Sequence, residues 1–149
     1  MKKNIIKLLF VSLFLIGACG SSTDTTTCSY SDDMYVTVYE SKDDKIISMK
    51  QTIAIDLKEV GFEKEDAESF VKMTKDSLDS IEGVSVDSKV DDKKMSITVN
   101  VDFEKGKLDT FVSQGLISEN LIKEKDGEDY VSLKKAKEEF KTQRGEECK

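Results

Sequence analysis

Three acidic pairs carry the densest potential chemistry in this chain: Asp32-Asp33, Asp43-Asp44 and Asp91-Asp92. Paired carboxylates can act as general acid and base, or can hold calcium. Calcium loops space their acidic ligands around a glycine, and none of the three pairs has that spacing. The run Asp126-Gly127-Glu128-Asp129 comes nearest and lacks flanking ligands. Aspartate also favours solvated turns, because its side chain bonds nearby backbone, and all three pairs are read as turns. The chain contains no His. Its absence removes the commonest general base and metal ligand, and with them serine-histidine and cysteine-histidine catalysis and histidine-based zinc or iron sites. No catalytic residue, cofactor site or metal site is assigned, and an enzyme is not expected.

The remaining candidates are four tyrosines and three cysteines. Tyr30, Tyr35, Tyr39 and Tyr130 offer an aromatic binding surface, with Tyr35 and Tyr39 on one strand face; tyrosines in such positions more often simply cover a sheet. The cysteines are Cys19, Cys28 and Cys148. Cys28 and Cys148 have neither the close spacing of a redox pair nor a third ligand nearby. In an oxidising compartment they are read as a structural disulfide, with two free thiols as the alternative.

Cys19 differs from the other two. Met1-Lys2-Lys3 is followed by an apolar run from Ile5 to Ile16 and then by Gly17-Ala18-Cys19. A basic start, an apolar stretch and small residues make an export signal. A transmembrane helix would need roughly 20 apolar residues, more than this run supplies. An ordinary secretory signal would not require the cysteine. Ile16-Gly17-Ala18-Cys19 resembles the lipobox of bacterial lipoproteins. That resemblance implies cleavage before Cys19, diacylglycerol on its thiol and location at the cell membrane on the extracytoplasmic face. At least two acyl chains suffice for stable anchoring. The signal holds Lys2, Lys3 and Lys7 and no acid, so its removal takes the formal charge from −7 to −10. A body so acidic is repelled by nucleic acid and by anionic lipid, and no nucleic-acid partner is expected. The lipid bilayer, reached through acylated Cys19, is the one partner read directly; a protein or small-ligand partner has no identifying residues.

The elements follow from hydrophobic period. Residues 1–18 are the signal, 19–27 a small polar tether, and 28–149 one domain. From Met34 to Glu40 and from Ile46 to Leu57 the chain alternates, with Ile47, Met49, Ile53, Ile55 and Leu57 on one face and a polar turn between. Ala67, Phe70, Val71, Thr74, Leu78 and Ile81 are spaced as one helical face, and Gly83 is placed to end that helix. Val84, Val86 and Val90 line one face of the first strand of a second hairpin. Its return strand alternates Met95, Ile97, Val99, Val101 and Phe103 with polar residues, the pattern of an antiparallel sheet covered on one side. A short helix from Leu108 to Gln114 and a last helix capped by Ser132 and ended by Gly145 complete the reading. Residues 115–130 carry no assignable period. The expectation is an α+β fold of order β-β-α-β-β-α-α, about four strands in two hairpins with helices on one face.

The layout and three runs resemble the YehR-like family of bacterial lipoproteins: Asp44-Lys45-Ile46-Ile47-Ser48-Met49-Lys50-Gln51-Thr52, Val60-Gly61-Phe62-Glu63-Lys64-Glu65-Asp66-Ala67, and Tyr130-Val131-Ser132-Leu133-Lys134-Lys135. The resemblance implies an α+β domain of unknown function and adds no activity. The functional reading is a lipid-anchored, non-enzymatic binding module for a partner or ligand, with a structural or envelope-stress accessory protein as the alternative.

Overall fold

A computed structural model describes residues 22–149. The signal and Cys19 lie outside the described residues. The main sheet has five antiparallel strands in the order β1-β2-β3-β5-β4: β1 Asp24–Tyr30, β2 Tyr35–Lys42, β3 Lys45–Asp56, β4 Val84–Val90 and β5 Lys94–Asp102. A two-helix link, α1 (Leu57–Val60) and α2 (Lys64–Leu78), joins β3 to β4. After β5 come α3 (Leu108–Ser113), a 3-10 turn (Glu119–Leu121), a small hairpin of β6 (Ile122–Lys125) and β7 (Glu128–Val131), and α4 (Leu133–Arg144).

The α+β class and the one-sided cover agree with the alternation of the strands. One row across the sheet reads Cys28, Thr37, Gln51, Val99 and Val86, each directly opposite the next. Helices lie on this face, where Met49, Val86, Met95, Ile97 and Val101 are buried. The opposite face bears Thr52, Thr98 and Asn100. Two core clusters form, one around Phe111, Ile46 and Val101, the other around Leu57, Ala67 and Met95; Val99 and Leu78 pack against both. The ring of Phe111 meets Phe103 edge-on at 5.5 Å between centroids. Gly106 must be glycine, since a Cβ there would stand 2.1 Å from Phe111 Cζ and 2.4 Å from the Glu82 carbonyl.

Four details differ from the sequence reading. The sheet has a fifth strand, because residues 24–27, read as tether, belong to β1. Asp-Thr-Thr-Thr is polar, yet Thr is β-branched and suits a strand, and Thr26 and Cys28 point into the core. Ile46, not Ile47, is buried, because the register slips between Glu40 and Ser41 and leaves Ile47 as the extra residue of a bulge. Residues 122–131 form a hairpin whose Asp126-Gly127 loop has φ of 56° and 81°, the left-handed pair of a type I′ turn. Finally, Phe70 is exposed despite its helical spacing.

The tail beyond α4 returns along the free edge of β1. Thr27 and Lys149 exchange backbone hydrogen bonds of 2.7 and 2.8 Å. Cys28 therefore faces Cys148 at the next, narrow position of an antiparallel pair, with Cα atoms 4.2 Å apart and the sulfurs bonded. The described residues thus hold both core clusters, the whole sheet and its covalent staple, and form the folding unit.

Two predictions follow from this packing. Val99→Asp should lower stability by about 3 kcal/mol or more, because it puts a charge between the two clusters, whereas Thr98→Asp on the open face should cost under about 1 kcal/mol; equal urea midpoints would show that the alternation does not map to burial. The double variant Cys28→Ser, Cys148→Ser should lose about 2–4 kcal/mol, the usual worth of a long-range cross-link, measured by chemical denaturation of oxidised protein and variant.

Candidate functional site

The near end of the sheet, where β1 begins, also holds the turn between β2 and β3. There Asp43 adopts φ 54° and Asp44 reaches the start of α4. Its carboxylate accepts hydrogen bonds from the Lys134 backbone N–H (2.8 Å), Ser132 Oγ (2.9 Å), Lys123 Nζ (3.0 Å) and Tyr130 OH (3.3 Å). The Leu133 N–H donates to the Asp44 carbonyl at 2.8 Å. Ser132 is fully buried and also caps α4 by accepting from the Lys135 N–H. An anion at a helix N-terminus is further favoured by the helix dipole.

Beside this node lies a cleft of about 490 Å³ lined by Lys42, Asp43, Lys45, Lys125, Asp126 and Tyr130, among others. The acidic pair 43–44 and the acidic run 126–129 thus meet, although 79 residues separate Asp44 from Lys123 alone. Asp44 itself is used structurally: its carboxylate takes up the Lys134, Ser132, Lys123 and Tyr130 donors, and the Ser132 side chain is buried. Among the described residues no three His, Cys, Asp or Glu side chains are grouped to hold a metal ion. Partial burial pushes the Asp44 pKa up, but hydrogen bonds from Lys134, Lys123 and Ser132 outweigh it and hold the carboxyl below its ordinary value.

The far end is different. Every large hydrophobic side chain that stands exposed among the described residues lies there: Tyr30, Met34 and Ile53 at the strand ends, Val60 and Phe62 around α1, and Phe70 and Met73 on α2. The direction in which α2 presents them can be worked out. Asp102 donates to the Gly83 carbonyl, so by antiparallel alternation Val86 turns its N–H away from β5. That outer N–H donates to Asp79, at the end of α2, at 2.9 Å. Phe70 precedes Asp79 by nine residues, about two and a half helical turns. It therefore occupies the opposite flank and faces the middle of the sheet.

Below that flank lies Ile53 on the central strand. It shares a row with Ile97, which is 7% exposed, yet is itself 38% exposed. The reason is that α2 covers β4 while α4 covers β1, and the two helices make no extensive contact with each other. A groove is left between them. Ile53 stands exposed on the sheet beneath it, and Phe70 and Met73 (64% exposed) stand exposed on α2. Across from them Arg144 lies 4.9 Å over the Tyr30 ring and 5.8 Å over Tyr35. Phe62 extends the apolar surface of α2, with its ring centroid 6.5 Å from that of Phe70. A shallow hollow on the α1–α2 side, lined by Gly61, Phe62, Asp66, Ser69, Phe70 and Met73 and by no residue of α4 or β3, measures about 500 Å³.

The tyrosines divide accordingly. Tyr39 is covered by the core, and burial first, then Tyr35 and Glu139, push its phenol up to about 12. Tyr35 accepts from the Gln51 amide, which satisfies the one polar residue on the apolar side of β3. Tyr130 belongs to the Asp44 node, and Tyr30 alone is well exposed. The sequence reading missed the groove because it assigned Phe70 to the buried stripe. Met73 was the available signal: it sits outside that stripe, an apolar side chain where solvent-facing residues belong.

A pH prediction comes from the near end. The folded pKa of Asp44 is depressed, so its contribution is complete above the unfolded value of about 3.9 and is lost as pH falls through the folded value. Asp44→Asn should be less stable than wild type by about 1–2 kcal/mol at pH 7, and the gap should close in strong acid, read by urea denaturation at both pH values. A gap independent of pH would disprove the charge-based role.

Comparisons with known proteins place this fold. No curated protein matches the chain. The NMR structure of E. coli YehR protein matches with a TM-score of 0.67 and 17% identity over 87% of this chain and 93% of that one. An NMR structure of a protein from Streptococcus pneumoniae TIGR4 matches with a TM-score of 0.43 and 14% identity over 79% and 84%. A family model described as "Protein of unknown function (DUF1307)" covers residues 23–145. With nearly the whole folded unit inside that match, and the E. coli YehR architecture shared, the chain belongs to the DUF1307 family of YehR-like domains.

Proposed function

We propose that this protein is a lipid-anchored binding module of the extracytoplasmic cell surface, without catalysis of its own, and that the groove between α2 and α4 is its binding surface. The observation that carries this reading is the segregation of exposed apolar side chains to the end of the sheet opposite the start of β1. A chain anchored at Cys19 enters the fold at Asp24, so the groove faces away from the bilayer. The anchor is inferred from the lipobox-like Ile16-Gly17-Ala18-Cys19; no helix among the described residues is long and apolar enough to cross a membrane. The exposed cluster also supports binding over a purely structural role. Exposed apolar side chains gathered in one patch mark interaction sites, whereas scattered ones need no explanation.

Two experiments test the reading separately. Cys19→Ala should leave the protein as uncleaved precursor or release it to the medium, without diacylglycerol; a processed variant that still sediments with membranes would refute anchoring through Cys19. For the groove, residues 22–149 should enhance the fluorescence of the uncharged dye Nile red. Phe70→Ser with Met73→Ser should remove most of the enhancement with the thermal midpoint nearly unchanged. Undiminished enhancement would show that the apolar surface lies elsewhere.

A further inference from the structure

The two ends of α4 are fastened by different chemistry. At its start the Asp44 carboxylate accepts from the Lys134 N–H, the Leu133 N–H donates to the Asp44 carbonyl, and Ala136 is 3% exposed. Toward its end the packing runs out. Phe140 is half-buried, and every residue from Lys141 to Glu147 is exposed. Beneath this half a cavity of about 80 Å³ separates Tyr35, Thr37 and Tyr39 of β2 from Phe140, Gln143 and Arg144 of α4. Side chains around such a void lack contact partners on one side. Three ties hold the end: the stacking of Arg144 on Tyr30 and Tyr35, the Thr27–Lys149 backbone pair, and the Cys28–Cys148 bond. Only the last is covalent, and it is reachable from one side. Cys28 is fully buried, whereas Cys148 is half-buried on a tail whose other residues are exposed.

We infer that the Cys28–Cys148 bond is a redox latch: its reduction by a dithiol releases the C-terminal half of α4 and the tail, while the sheet, α2 and the start of α4 stay folded. A thiolate of the dithiol attacks Cys148 Sγ, and the sulfur–sulfur electron pair leaves on Cys28 Sγ. Burial among apolar side chains disfavours a thiolate, so Cys28 takes up a proton. The second thiolate of the dithiol then displaces Cys148 from the mixed disulfide, and Cys148 is protonated in turn. The protein gains two electrons and two protons, and the dithiol is oxidised to a disulfide. The core does not need the released part, since neither Phe140 nor any later residue belongs to either apolar cluster. Release uncovers Tyr35 and Tyr39, which α4 covers, and it opens the β1 edge. The Thr27 N–H points toward the tail, so by alternation Thr25 and Ser29 also turn their N–H and C=O groups outward. An open row of this kind is a template for another strand. The reduced form therefore displays a strand edge and an aromatic face that the oxidised form conceals.

The test is amide hydrogen exchange, read by mass spectrometry, on residues 22–149 before and after treatment with dithiothreitol. Alkylation of both thiols in a parallel sample confirms reduction. On reduction the amides of Glu139–Arg144 should exchange within about tenfold of the rate of unstructured peptide, while those of Ile97–Val101 in β5 stay at least about a hundredfold slower than it. The amides of Leu133 and Lys134, held by Asp44, should also stay protected. Cys28→Ser with Cys148→Ser should reproduce the reduced pattern without dithiothreitol and show no response to it. Reoxidation of the wild-type protein should restore the original pattern. Unchanged exchange at Glu139–Arg144 in fully reduced protein would show that Arg144 and the tail pairing hold α4 without the bond, and would reject the latch. Loss of protection in β5 together with α4 would show that reduction unfolds the whole domain, and would reject it as well. Resistance of the native protein to dithiothreitol, with ready reduction in urea, would show that Cys148 Sγ is not open to attack and would overturn the inference.

Discussion

Helix α4 has too little apolar surface to hold itself on the sheet, and the fold is organised around fastening it. Only Ala136 is fully buried along its length, with Leu133 and Phe140 partly so. Its first turn is therefore tied to the β2–β3 turn by the Asp44 carboxylate, which accepts from the Lys134 N–H, Ser132 and Lys123. Past its last turn, the left-handed Gly145 reverses the chain and Cys148 bonds to Cys28 on β1. Asp44 does more than cap a helix. By reaching Lys123 and Tyr130 it also fixes the small β6–β7 hairpin against the main sheet. A single carboxylate thus joins three elements that are distant in sequence, and the electrostatics suit it: one anion surrounded by a helix N-terminus, a lysine and two hydroxyls.

With α4 pinned over β1 and α2 seated over β4, the centre of the sheet is left uncovered at the far end. The groove is a consequence of spacing: two helices on a five-strand sheet, each placed near an edge. Asp79 strengthens this arrangement by bonding the outer Val86 N–H, which holds α2 outward and satisfies an edge donor that would otherwise invite another strand. The β1 edge is covered in a similar way by the tail through Thr27 and Lys149. Both edges of the sheet are therefore partly occupied. That makes pairing of a partner along an edge a poorer option than seating it on the face between the helices.

The sequence made much of this legible where hydrophobic period was strong. β5 alternates without a break from Met95 to Val101 and proved to be buried on that side. Ser132 and Gly145 were recognisable as the ends of α4 because capping is local chemistry. β1 was hidden because threonine is polar by composition and strand-forming by shape. The β6–β7 hairpin was hidden because its strands are only four residues long and mostly charged, although Asp126-Gly127 is a strong turn signal by itself. The bulge at Ile47 could not be read, since register depends on the neighbouring strand rather than on the strand's own pattern. The same limit applies to the two candidate sites. Asp44 and Ser132 are 88 residues apart, and no spacing rule links them.

Phe70 shows why an apolar residue at helical spacing is weak grounds for burial. It follows Ala67 by three positions and precedes Val71 by one, so the period alone puts it in the same stripe. Burial, however, requires something above the side chain, and α2 has no neighbour on that flank. Exposing Phe70, Met73 and Ile53 together forfeits hydrophobic stabilisation of roughly 1.5–3 kcal/mol for each large side chain that could have been covered. Lysine or serine at positions 70 and 73 would remove that loss and leave an ordinary solvated helix. Retaining the apolar side chains is intelligible if the missing cover is supplied from outside.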